Sequence, residues 1–270
     1  MSKKRHRTVC DARDPICVRT FAVRHIHDHV IGPHAHDWHQ LIYASEGVMW
    51  VHTAQGDWVV PPNRAVWVPA GVEHGIEMTG TVFVQTVYLE PRISRRLPRR
   101  CCAVNVSPLL RELIRHTITL GMLDKHDRVQ SRLMGFLVDQ LGALPTVPLQ
   151  LPWPSDERAV LAAAWLRAHP SDPGLIKQMA KRLETSARTL ERLFQGETGL
   201  TFGKWRQQLR LLHSLRLLAA GQPVTTVALE VGYDSPSAFI AMFKRTLGTT
   251  PHRYFASRSY GSANSPLIPK

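Results

Sequence analysis

Acidic residues are in short supply in this 270-residue chain: 21 Asp and Glu stand against 34 Lys and Arg, for a formal net charge of +13. A surplus of that size favours a polyanionic partner. Cysteine is scarce too. Cys10, Cys17, Cys101 and Cys102 have no zinc-finger spacing, and reduced packing residues are their simplest reading. A redox sensor on Cys101-Cys102 would have only the nearby arginines to argue for it. No apolar run is long enough to span a membrane. Lys3-Lys4-Arg5-His6-Arg7 has no apolar stretch behind it, so no secretory signal peptide is read. The expected location is cytoplasmic, with no membrane partner.

The length suggests two domains, and texture places the divide. From Val18 to Leu89, short β-rich runs alternate with turns, as in Leu41–Ala44 before Glu46-Gly47 and Ala65–Val68 before Pro69-Ala70-Gly71. Such spacing predicts a small antiparallel β-barrel or sandwich. Ser107-Pro108 opens a helix to about Leu120, and a second helix is expected near Asp127–Leu141. Pro145, Pro148, Pro152 and Pro154 read as a stiff linker. Five arginines crowd Arg92, Arg95, Arg96, Arg99 and Arg100; they read as a solvated interdomain segment, with contact to DNA as the alternative. From Ser155 onward, 16 Lys and Arg face 8 Asp and Glu. The expected layout is a sensor over 1–100, a helical dimerisation segment and linker over 101–154, a DNA-binding domain over 155–258, and a disordered tail over 259–270. The fold class is α+β in two domains, an antiparallel β-barrel with helices followed by an all-α domain.

The all-α part carries an internal repeat. Ile176/Val224, Met179/Val227, Ala180/Ala228, Leu183/Val231, Ser186/Ser235, Leu190/Phe239 and Phe194/Phe243 pair as landmarks, the second turn being one residue longer. Each copy reads as a short helix, a turn and a Ser-capped helix, the helix-turn-helix pattern. In copy one, Asp172 with Pro173 is expected to cap the first helix. In copy two, Gly232 sits where the chain needs a positive φ. The outward residues of the first second-helix are Arg188, Thr189, Glu191, Arg192 and Gln195, the types that read base edges in a major groove. Ser237, Lys244 and Arg245 face out on the second, which suits phosphate contact more than base reading. Ser186 and Ser235 open the two helices. Between the copies, Phe202–Ala220 reads as one helix with Trp205, Leu209, Leu212, Leu215 and Ala219 on one face and Lys204, Arg206, Arg210 and Arg216 polar.

Residues 158–256 resemble the DNA-binding domain of the AraC/XylS family of bacterial transcription regulators. The resemblance rests on Ser186–Phe194, Glu197-Thr198-Gly199, Ala228, Gly232-Tyr233, Ser235, Phe239, Phe243-Lys244-Arg245 and Gly248-Thr249-Thr250-Pro251. It implies seven helices, two helix-turn-helix units and a connecting helix. Ala241 departs from the polar or basic residue that family members often carry.

Eight of the fourteen histidines fall between His25 and His74. His34-x-His36, then Gln40, and Pro69-x-Gly71-x-x-His74 resemble the two cupin motifs, whose metal ligands are His, His, Glu and His. Carried over, the positions are His34, His36, Gln40 and His74. Gln40 replaces the Glu, Asn63 the opening Gly of the second motif, and Met78 its closing Asn. His39 is an alternative ligand. Three or four imidazoles suit one divalent transition metal such as zinc or nickel; the plainer reading is a metal-free pocket. Trp38, Trp50, Trp58 and Trp67 line an effector pocket or pack as aromatic core.

Two function classes follow. One is a DNA-binding transcription regulator whose cupin-like domain senses a small molecule, acting as a homodimer with promoter DNA, an effector and RNA polymerase as partners. The other is a cupin metalloenzyme, a dioxygenase or isomerase, fused to a DNA-binding domain. The missing Glu and the absence of a nucleophile or carboxylate pair near the histidines disfavour the enzyme.

Overall fold

The computed structural model describes residues 14–144, 149–173 and 175–256. Lys3–Arg7, Cys10, Pro145, Pro148 and the 259–270 tail lie outside the described residues. Two compact units divide the chain, Met1–Trp153 and Pro154–Lys270.

The first unit runs β1 (Ile16–His25), β2 (His29–His34), β3 (His39–Glu46), β4 (Met49–Thr53), β5 (Gly56–Val60), β6 (Arg64–Val68), β7 (His74–Met78), β8 (Val82–Leu89) and β9 (Cys102–Asn105). Then follow α1 (Pro108–Leu120), β10 (Met122–Asp124), α2 (Arg128–Gly142) and β11 (Gln150–Pro152). The strands form two antiparallel sheets, ordered β10-β1-β8-β3-β6-β9 and β11-β5-β4-β7-β2. The expected barrel is therefore not closed: among the described residues no ladder joins the sheets. One face of the six-stranded sheet is taken by helices instead. Leu41 and Tyr43 of β3, Trp67 of β6 and Val87 and Leu89 of β8 form one core with Leu110, Ile114, Leu137 and Leu141 of the helices. Leu110, Ile114 and Leu137 are wholly buried, each side chain worth about 1.5–3 kcal/mol of transfer free energy. Both helices start where capping chemistry puts them. Ser107 accepts from the Leu110 N–H ahead of Pro108, and Asp127 accepts from Val129 and Gln130.

Part of the expected linker is strand. β11 pairs with β5 in the register Gln150↔Trp58, Leu151↔Asp57 and Pro152↔Gly56. Leu149 and Leu151 are fully buried, and their burial outweighs the ladder donor that Pro152 lacks. Asn63 has φ 64°; Asn is a side chain that tolerates this left-handed turn, which explains why it can stand where a glycine was expected.

The second unit has seven helices among the described residues: α3 (Glu157–Ala168), α4 (Ile176–Arg182), α5 (Ala187–Thr198), α6 (Phe202–Ala219), α7 (Val224–Glu230), α8 (Pro236–Leu247) and α9 (Pro251–Ala256). α6 is the spine. Its Trp205 and Leu212 are fully buried, and Phe194 meets both Trp205 and Phe202 edge-on at 5.3 and 5.1 Å. Asp172 does not cap α4. The cap is Leu175, with no side-chain bond. The Asp172 carboxylate accepts from Trp165 Nε1 at 2.9 Å and pairs with Arg182 at 3.6 Å.

Candidate nucleic-acid interface and sensor site

The two heads are built alike. Each has a seven-residue first helix, α4 or α7. Each second helix is opened by a serine whose side chain accepts from the backbone N–H three residues on, Ser186 from Thr189 and Ser235 from Ala238. Each ends at a left-handed glycine, Gly199 or Gly248. Leu190, Leu193 and Phe194 face inward from α5, and Phe239, Met242 and Phe243 from α8. That leaves Arg188, Arg192 and Gln195 exposed on α5, with Thr189 and Glu191 half-buried beside them. On α8, Ser237, Lys244 and Arg245 are exposed. Ser186 and Ser235 serve as caps, and Gln195 donates to the Gly199 carbonyl at the end of its own helix.

Two arginines of α6 carry more than the sequence pattern assigned. Arg210 is not on a polar face but buried, with 8% of its surface exposed. Its guanidinium donates to the carbonyls of Pro170 (3.0 Å), Asp172 (2.8 Å) and Gly232 (2.9 Å). It thus ties the approach to the first head to the turn of the second. Arg206 lines a cleft of about 300 Å³ with Arg210, Tyr233, Ala241 and Arg245. Nothing local in the sequence marks either role; the only signal is their four-residue spacing on one helix. Glu197 of the family pattern has a visible task as well, accepting from the Ser155 and Asp156 N–H groups at the start of α3.

In the first unit, His34, His36 and His74 converge, one ring nitrogen of each lying within 4.8 Å of the others. β2 and β7 bring His34 opposite His74. His36 and His74 are buried, and His34 is half-buried. Each Nδ1 faces a backbone carbonyl: His34 that of Gly32 (2.9 Å), His36 that of Trp38 (2.7 Å) and His74 that of Val72 (3.0 Å). Carbonyls only accept, so these nitrogens carry the hydrogen in the neutral ring. Burial brings the His74 pKa down to about 4, leaving it neutral at pH 7. Gln40, also buried, places Oε1 at 2.9 Å from both His36 Nε2 and His74 Nε2. Its Nε2 donates to Thr86 Oγ1 (2.9 Å) and the Tyr88 hydroxyl (3.1 Å).

His39 does not join this group. It directly precedes Gln40 on β3, so its side chain leaves the other face of the strand. There its Nδ1 accepts from the Ala70 N–H at 2.8 Å and its ring lies 5.1 Å from Trp67. Nor are the tryptophans brought together. Trp38 is buried beside His36, under the Arg19 guanidinium at 4.8 Å. Trp50 shares a sheet face with Glu77, opposite to that of the Thr53–His74 pair. Trp67 packs in the helix-covered core, lines a cavity of about 30 Å³ and donates to the Pro98 carbonyl. Cys101 and Cys102 are buried, and burial pushes the Cys101 thiol up to about 11, so it is protonated and unreactive. All five clustered arginines from Arg92 to Arg100 are exposed.

Comparison with known proteins agrees with both halves. Residues 19–140 match a family model described as an AraC-like ligand binding domain, and residues 179–257 match a helix-turn-helix domain. The chain is similar to the HTH-type transcriptional regulator NimR of Escherichia coli K12, 38% identical over 83% of this chain and 81% of the relative. It is 25% identical to the arabinose operon regulatory protein of Salmonella typhimurium, over 86% of this chain and 71% of the relative. The HTH-type regulator RipA of Corynebacterium diphtheriae is 34% identical over 45% of this chain and 36% of the relative. The chain belongs to the AraC/XylS family: it is a DNA-binding transcription regulator with an N-terminal ligand-binding domain, and not an enzyme.

Proposed function

We propose that the chain works in the cytoplasm as an effector-controlled homodimer on paired promoter half-sites, with RNA polymerase as a further partner. Arg188 and Arg192 of α5 read base edges, while Lys244 and Arg245 of α8 hold phosphate. The observation that carries dimerisation is the outer side of α1 and α2. Leu110, Ile114 and Leu137 bury the inner side, yet Leu109, Val129 and Phe136 leave 50, 67 and 43% of their surfaces in solvent. Apolar stripes of this kind suit a self-complementary contact about a two-fold axis. A dimer places up to four heads on DNA, and avidity then depends on a geometry that a ligand in the sensor unit can alter.

The test compares the full chain with a 154–270 fragment on DNA carrying one or two half-sites. The full chain should bind paired sites at least tenfold more tightly than single ones. The fragment and the full-length Phe136→Glu variant should lose that preference while keeping single-site binding. A full chain that stays monomeric at micromolar concentration, free and on DNA, would overturn the reading.

A further inference from the structure

We propose that His34, His36, His74 and Gln40 form a divalent transition-metal site in the ligand-binding unit, suited to zinc or nickel. The three Nδ1 atoms spend their hydrogens on the carbonyls of Gly32, Trp38 and Val72. The Nε2 of each neutral ring is then a bare lone pair. Gln40 has no freedom to answer with its amide N–H. Thr86 gives its hydroxyl hydrogen to the Leu41 carbonyl at 3.0 Å, so its Oγ1 can only accept from Gln40. That fixes the Gln40 nitrogen toward Thr86 and its oxygen toward the histidines. The result is an oxygen acceptor 2.9 Å from two nitrogen acceptors, all three residues buried.

Acceptors held that close in a dry setting repel unless a positive charge stands among them. Protons can supply it only by placing several imidazolium charges within one cluster. A single cation satisfies every lone pair at once. The surroundings are those of a metal centre: ligating histidines characteristically donate their second ring nitrogen to a backbone carbonyl or carboxylate, which fixes the tautomer and aims the lone pair. Three imidazoles and an amide oxygen suit a borderline ion such as zinc, cobalt or nickel rather than calcium or magnesium, which demand more oxygens. The ligands reach the site from three places in the chain, β2 with its following turn, β3 and β7, so the ion would cross-link the two sheets. This inference is independent of the DNA-binding reading, and its test involves no DNA.

The full-length protein, stripped with chelator, is titrated with zinc and with cobalt, following bound metal by elemental analysis and the cobalt absorption spectrum. One ion per chain is expected. His34→Ala, at the half-buried position, should weaken binding about tenfold or more, and the ion should raise the Tm of the wild type but not of this variant. Gln40→Glu puts a carboxylate oxygen at the same place and should tighten binding. His25 and His29 form a separate stacked pair with ring centroids 4.3 Å apart, so His25→Ala/His29→Ala is the control and should leave the stoichiometry unchanged. No uptake at micromolar metal by the folded wild type would overturn the proposal. So would uptake indifferent to His34→Ala, uptake abolished by the control, or weaker binding in Gln40→Glu.

Discussion

Arg192 and Arg210 show how far one side-chain type can be sent in two directions by its place on a helix. Arg192 stands exposed on α5, where a guanidinium can reach two acceptors of a guanine. Arg210 is buried and consumed by three carbonyls of the protein. Arg192→Ala should cost roughly 1–3 kcal/mol of specific binding and relax preference at one base position. Lys244→Ala should weaken specific and nonspecific DNA about equally and lower the salt slope by about one. Quantitative binding to a randomised half-site library at two salt concentrations separates the two. Unchanged base preference in Arg192→Ala would remove α5 as the reader.

At the scale of elements, the two heads differ most in their turns. Glu184 in the first has φ 49°, and Gly232 in the second has φ 79°. Left-handed backbone costs a side-chain-bearing residue about 1–2 kcal/mol. A Cβ at Gly232 would also lie 2.5 Å from the Arg210 guanidinium and 2.9 Å from the Ser171 carbonyl. Gly232→Ala should therefore lower stability by more than about 1 kcal/mol, whereas Glu184→Gly should leave it unchanged or raise it slightly. Urea unfolding of the two variants checks this, and equal effects would refute the assignment of strain. These heads were legible in the sequence because every signal in them is local: a 3.6-residue period, a serine cap and a glycine stop within one unit. Arg210 was not, since its partners lie 22 to 40 residues away. Asp172 misled for a related reason, a good capping residue being drawn off by the Trp165 indole and Arg182. In the sensor, strand runs such as Leu41–Ala44 and Ala65–Val68 were plain, but sheet closure is a matter of non-local pairing. β11 was hidden behind prolines. The convergence of His34, His36 and His74 was readable from the resemblance to the cupin motifs, while the exclusion of His39 needed the strand's alternation.

The molecule as a whole has two compact units, each with its own buried core. Calorimetry should resolve two unfolding transitions, and one of them should be acid-sensitive through His213. Burial, with the nearby Arg216, holds the His213 pKa down to about 4 from an ordinary 6.5. The unfolded chain takes up the proton near pH 6.5 and the folded one only near 4. The stability this neutral ring contributes is thus complete above pH 6.5 and drains away as pH falls toward 4. The DNA-binding unit's Tm should be flat above pH 6.5 and fall below it, with a shallower fall in His213→Gln. An equal slope in that variant would assign the proton elsewhere.

The open pair of sheets has a consequence for solubility. Closing a barrel hides every strand's hydrogen-bonding groups, whereas two open sheets leave four rims, each a template for another chain's backbone. Among the described residues the rims are β9, β10, β11 and β2. Three of them are only four, three and three residues long. The fourth is broken by Gly32-Pro33, and proline has no N–H to offer. Strand addition, the route to fibrils, is blunted at each of these rims, so the sheet edges offer another copy of the chain little backbone to pair with.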